Sequence, residues 1–306
     1  MRKEKDSMGN MQVPDDVYYG AQTQRAVENF PISGIPISKS MINALGIIKR
    51  CAAEVNHQLG MLDEERKNAI VQAANEVIDG SFDNQFPIDT FQTGSGTSSN
   101  MNCNEIIANR ASELMGGKIG TREPVHPNNH VNMGQSSNDV IPTAIHIAAN
   151  MGIHTSLIPA LHNLADELDK KAQQFSRILK IGRTHLQDAT PITLGQEFSG
   201  YCQMIKNGIC RLHNVQKHLS ELAQGGTAVG TGLNTNIKFG PLMAQHISQY
   251  SGIEFTEAVN HFEAQAAQDA AVETSGALKT VAVSLSKISN DIRWLGSGPR
   301  AGIGEL

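Results

Sequence analysis

The stretch "PTAIHIAANMGIHTSLIPALHNLADELDKKAQQF", residues 142–175, sets the architecture of the chain. Ile145, Ala149, Ile153, Leu157, Leu161, Leu164 and Leu168 recur along it at intervals of three and four, the period of one face of an α-helix. Pro142 suits a first helical turn, where its missing N–H removes no bond. At 1.5 Å per residue the run would extend about 50 Å.

Two further stripes share this texture. One runs from Leu194 to Leu222 through Phe198, Tyr201, Ile205, Ile209, Leu212, Val215 and Leu219. The other runs from Phe262 to Leu295 through Ala267, Ala271, Leu278, Val281, Leu285, Ile288 and Ile292. Helices of roughly thirty residues far exceed the mean of about 11 to 12, and they need each other, or a partner's helices, along their length. The expectation is a mainly α protein built on a long-helix bundle. Any strands are short, around Ile178 to Ile181.

Before the stripes, residues 1–37 read as an irregular arm interrupted by Pro14, Pro31 and Pro36. Helices follow at Ser38–Leu59 and Asp63–Ile78, the second with Asp63 as cap and Glu64 and Glu65 in its first turn. Residues 80–103 and 121–139 have loop composition, and Glu105–Met115 reads as a short helix ended by Gly116 and Gly117. The expected division is a small, mostly helical N-terminal domain, 1–139, and a helical-bundle domain, 140–306.

With 306 residues, 40% apolar and 18% charged, the chain has the composition of a folded soluble protein. A net charge of −5 without a basic run gives no reason to expect nucleic acid. No run of about 18 apolar residues crosses a membrane. The start "MRKEKDSMGN" lacks a signal's apolar run, so the cytoplasm is expected. Cys51, Cys103, Cys202 and Cys210 are widely spaced and read as free thiols.

Four polar loops punctuate the helices: residues 93–104, 126–139, 182–190 and 225–236. Each alone could be a turn. Together, at the ends of long helices where backbone N–H groups lack partners, their Ser, Thr and Asn side chains can form a shell around a carboxylate without a cation for every oxygen. Neither GxGxxG nor GxxxxGK[ST] occurs, which argues against nucleotide binding. His126 and His130 are four apart, but Pro127 and the asparagines after it argue against a helical metal pair, and no HExxH is present. His185 stands apart from the helical histidines, in "GRTHLQDATP" between Gly182 and a Pro191 that can start the next helix. There it could move a proton or orient a water near neutral pH.

Read together, "TGSGTSSNMNCNEIIANRA", "HPNNHVNMGQSSND" and "GRTHLQDATPITLGQEFSGY" resemble the blocks of the class II fumarate hydratases of the fumarase/aspartase superfamily. "YYGAQTQRAVENF" and "IRWLGSGPRAGIGEL" agree. The resemblance implies a fumarase/aspartase-like fold and a homotetramer whose active sites each take loops from three subunits. It implies reversible, stereospecific hydration of fumarate to (S)-malate without metal or organic cofactor. By motif, Ser95, Thr97, Ser136, Ser137 and Asn138 would contact substrate carboxylate. Thr184 and His185 would come from another subunit, His185 activating water or shuttling a proton. His126, Asn128 and Asn129 would belong to a second, non-catalytic dicarboxylate site near the entrance.

Two departures stand out. Family members continue well past the position of Leu306, through a "GSSxMPxKxNP" loop bearing the serine base, a lysine and an asparagine, and on to a glutamate that pairs with the histidine. The expectation is therefore an incomplete bundle, an absent C-terminal domain and an inactive fragment. Asn129, Met133 and Gly134 replace residues that are commonly Asp, Lys and Ser, which alters the donors of the second site. Two other functions stay open: an aspartate ammonia-lyase of the same superfamily, and a non-enzymatic helical association module.

Overall fold

The computed structural model describes all 306 residues. The chain opens with an antiparallel hairpin, β1 (Arg2–Asp6) and β2 (Gly9–Val13), followed by α1 (Ala21–Asn29), α2 (Lys39–Gln58), α3 (Glu64–Ile78) and α4 (Thr97–Leu114). Helix α5 (Ser137–Gly152) leads through a π-helical turn, Ile153–Leu157, into α6 (Ile158–Gln174). A second hairpin, β3 (Leu179–Thr184) and β4 (Gln187–Thr193), precedes α7 (Leu194–Leu219). The short strands β5 (Glu221–Leu222) and β6 (Thr256–Glu257) pair in parallel around α8 (Phe239–Ser251), and α9 (His261–Ala266) and α10 (Asp269–Leu295) complete the order. Contacts group Met1–Ala149 with Leu219–Gln268 as one unit, and Asn150–His218 with Asp269–Leu306 as the other.

In the first unit α2 and α3 supply much of the core. Ile42, Leu45, Ile48, Ala52 and Val55 of α2 are buried at helical spacing, as are Ile70, Ala74 and Val77 of α3. Each fully buried Leu or Ile contributes about 1.5–3 kcal/mol. Gly46 lets the helices approach, because a Cβ there would lie 2.8 Å from Ile78 Cγ1. Both helices start on the expected caps: Ser38 Oγ accepts from Met41 N, and Asp63 Oδ1 from Arg66 N.

Residues 1–37 are more ordered than their composition suggests. The Arg2 guanidinium donates to the carbonyls of Pro14 (2.6 Å), Val17 (2.7 Å) and Tyr19 (2.6 Å), and Arg25 holds Asp6 through two nitrogens. Hydrogen bonds of charged side chains, rather than an apolar stripe, fix this segment, so periodicity gave no sign of it.

Helix α4 begins at Thr97, eight residues before the sequence expectation, because its polar first turns are buried against partners. Asn100 donates to Ser137 Oγ, Asn102 to Gln85 O and Asn109 to Tyr18 O. Likewise α5 begins at Ser137, with Pro142 inside it rather than at its start. The Asp139 side chain takes the N–H of Ser136 and so caps the earlier start.

In the second unit α7 runs 26 residues and α10 27, as their stripes predict. The run beyond Pro142 stays helical to Gln174, and a π turn just before Pro159 accommodates the proline's missing N–H. The third stripe is broken at Ala267, whose ψ of 152° is extended. Helices α6 and α7 meet through edge-to-face packing of Phe175 on Phe198, and Tyr201 of α7 donates to Asp291 of α10. Val272, Val283 and Trp294 on α10 are exposed, Trp294 at 54%.

Candidate functional site

Three of the four polar loops converge in the first unit. The first ends at Gly96, whose φ of +66° places it in the left-handed region just before α4. A Cβ there would sit 3.1 Å from Ile141 of α5, so the N-termini of α4 and α5 are neighbours. Ser95 Oγ and Thr97 Oγ1 lie 2.8 Å apart at this end of α4. No side chain caps it: Ser99 N is taken by Gln92 Oε1 and Asn100 N by Gly96 O, which leaves the N–H groups of Thr97 and Ser98 as the open donors.

Ser136, Ser137 and Asn138 stand at the start of α5. Ser137 is buried, its Oγ accepting from Asn100 Nδ2 at 2.9 Å. Asn138 is exposed, and its Nδ2 donates to Ala228 O at 2.7 Å. The glycine-rich loop is also tied by Asp139, whose Oδ2 accepts from Gly225 N (3.2 Å) and Thr227 N (2.9 Å). Burial pushes the Asp139 carboxyl up to about 6, against the backbone donors of Ser136, Thr227 and Gly225 that favour its anion. The result is a cluster of small hydroxyl, amide and backbone donors at two helix N-termini, whose partial positive charge favours an anion.

Thr184 and His185 belong to the second unit, at the tip of the β3–β4 hairpin. Thr184 pairs with Gln187, and His185 (φ +51°) with Leu186 (φ +60°) forms the two-residue turn between them. Two non-glycine residues in the left-handed region store backbone strain, which recurs where a side chain must be presented. His185 is exposed. Pro191 sits within β4, so it does not start the helix as its position suggested. A cavity of about 610 Å³ in this unit is lined by Thr184, Leu186, Arg183 and Trp294.

The residues of the expected second site also take an unanticipated form. Pro127–Val131 is a single π-helical turn capped by His126, whose Nδ1 accepts from Asn128 N (3.1 Å) and Asn129 N (3.3 Å). His130 Nδ1 accepts from His126 N at 2.9 Å. Burial lowers the pKa of both imidazoles, helped by the Arg122 charge at His126 and the Arg66 charge at His130. His126, Asn129 and His130 line a cavity of about 820 Å³ with Arg66, Lys118 and Arg122, whereas Asn128 is not part of its wall. Gly134 (φ +71°) is confined by Thr235, whose Oγ1 would lie 2.7 Å from an added Cβ. No three His, Cys, Asp or Glu side chains gather as metal ligands.

Sequence reading did not single out Asn100, Asp139 or Ala228, which join the loops. Their signal is faint, since a buried Asn in a helix looks like any polar helical residue until its partner is known.

Two helices of a mainly helical protein thus meet at their N-termini around a cluster of neutral donors that can hold an anion. The family model described as lyase matches residues 9–306, and the chain belongs to that family. Within it, the chain is 61% identical to a class II fumarate hydratase of Halobacterium salinarum and 55% to that of Neisseria meningitidis serogroup A, over 100% of this chain and 65% and 66% of theirs. The fold superimposes on the crystal structure of a class II fumarase from Schistosoma mansoni with a TM-score of 0.96 and 40% identity, covering 98% of this chain and 66% of that one. The chain thus spans slightly less than two thirds of the length of these relatives.

Proposed function

We propose that this chain carries the dicarboxylate-binding part of a fumarate hydratase, which adds water across fumarate to give (S)-malate and reverses the reaction. The observation that carries the proposal is the convergence of Ser95–Thr97, Ser136–Asn138 and the 225–228 loop at adjoining helix N-termini. In the dehydration direction a base takes a proton from the carbon next to one carboxylate, leaving an enediolate dianion there. Hydroxide then leaves the neighbouring carbon with a proton. Donors fixed in advance around that carboxylate are worth most as its charge grows. They need no reorganisation when the charge appears.

Thr184 and His185 join this site from another copy of the chain in a homotetramer, with His185 handling the proton of the added water. The exposed apolar side chains of α10 support association through the long helices. His126 and Asn129, beside Arg66 and Arg122, form the second anion site, with Asn128 holding the His126 ring through its backbone N–H. The free cysteines fit a reducing compartment, which we take to be the cytoplasm.

The test is hydration of fumarate in D₂O by the protein extended through the family's full length, since the 306-residue chain alone is expected to be inactive. Anti addition gives malate with deuterium in a single stereochemical position at the carbon bearing no hydroxyl, read by proton coupling constants. Absence of malate, scrambled deuterium, or aspartate as the product when ammonium is present would each overturn the reading.

A further inference from the structure

The direct donors of the site are neutral, yet the first unit holds one cation behind them. Lys49 lies on the buried stripe of α2 with 0% exposure. Its ammonium donates to Asn132 Oδ1 and Gln135 Oε1, each at 2.9 Å. No carboxylate touches it. Asn132 Oδ1 also accepts from Asn100 Nδ2 (3.3 Å), the amide that donates to Ser137 Oγ (2.9 Å). A continuous chain of hydrogen bonds therefore runs from the Lys49 ammonium through Asn132 and Asn100 to Ser137.

Burying an ammonium against neutral amides alone is costly, and a methionine of similar length would fill the same core space without that cost. We infer that Lys49 is a positioning residue for dicarboxylate binding: it fixes the Asn132–Gln135 turn and Ser137, and lends its positive charge to the N-termini of α4 and α5. The inference rests on the fumarate hydratase reading.

The titratable groups that face Lys49 are Cys103 of α4 and Asp139 of α5. Burial pushes the Lys49 ammonium down to about 8, opposed by the Asp139 carboxylate, while burial pushes the Cys103 thiol up to about 12 and leaves it neutral where Lys49 titrates. Below about 8 the ammonium is charged. As pH rises through that value the charge is lost, and affinity for a dianion falls with it.

The experiment compares the purified native protein with Lys49→Met and Asn132→Leu, measuring fumarate affinity by calorimetry from about pH 7 to about pH 9 together with thermal unfolding. At the lower pH both variants are expected to bind fumarate about tenfold more weakly. The unaltered protein is expected to lose affinity across the interval, and Lys49→Met to show a flat profile. Should Lys49→Met not fold, the profile of the unaltered protein and the Asn132→Leu affinity decide. Equal affinities, or a flat profile in the unaltered protein, overturn the role of Lys49 alone. Failure of the unaltered protein to bind fumarate at either pH overturns the parent reading with it.

Discussion

Replacing Glu105 should separate two opposed forces in one buried group. Its carboxylate accepts from Gly20 N (2.9 Å), Gln22 N (2.9 Å), Thr23 N (3.0 Å) and Thr23 Oγ1 (2.7 Å), and so holds the start of α1 on α4. Glu105→Ala orphans these donors at about 1–3 kcal/mol each where they stay dry. Water entering the space left behind recovers part, so the expected loss is about 3–5 kcal/mol, a large share of a typical 5–15 kcal/mol. Glu105→Gln keeps one acceptor oxygen and should cost less. Burial nonetheless outweighs the four donors and raises the Glu105 pKa above the ordinary 4.5. In the window above 4.5 the folded state keeps a proton that the unfolded state has released, so stability falls as pH rises through it. Glutamine has no such proton. The stability gap between the unaltered protein and Glu105→Gln should therefore narrow as pH rises from about 4 to 8. Urea unfolding followed by circular dichroism reads the gap, and hydrogen exchange at Gln22 and Thr23 locates it. A gap that widens with pH, or a Glu105→Ala loss below about 1 kcal/mol, would refute this reasoning.

Three other outcomes are expected. Thr97→Ala and Asn138→Ala, made in the protein extended through the family's full length, should each lower kcat for fumarate hydration by about 10²–10³-fold with little change in thermal unfolding, measured by steady-state kinetics. Iodoacetamide followed by mass mapping should modify exposed Cys210 first and leave Cys51 and Cys103 untouched in the folded protein, since burial pushes both of those thiols up to about 12. Gly134→Ala should destabilise the protein by about 1–3 kcal/mol on denaturant titration, because the new Cβ would meet Thr235 Oγ1 in a left-handed backbone.

The long helices were legible because burial imposes a period: the stripes of α6, α7 and α10 mark their faces without knowledge of any partner. The starts of α4 and α5 were not, because Asn100 and Asp139 belong to helices only by virtue of partners far away in sequence. The hairpin β1–β2 was missed for the same reason, its order resting on Arg2 and Arg25. The donors of the candidate site could be read as a composition, Gly with Ser, Thr and Asn. Their convergence could not, since it depends on Gly96 meeting Ile141 and on Asn138 reaching Ala228. Lys49 did leave a trace, as a lysine on the same helical face as Ile42, Leu45 and Ala52. A charge in an apolar stripe calls for a buried partner, and only the fold names it.

The central claim is that neutral donors at the N-termini of α4 and α5 hold a dicarboxylate. A crystal structure of the native protein with (S)-malate tests it most directly. The account expects carboxylate oxygens within about 3 Å of Thr97, Ser136 or Ser137 and Asn138. Malate bound only beside Arg66 and Arg122, with the α4 and α5 ends filled by water alone, would contradict it.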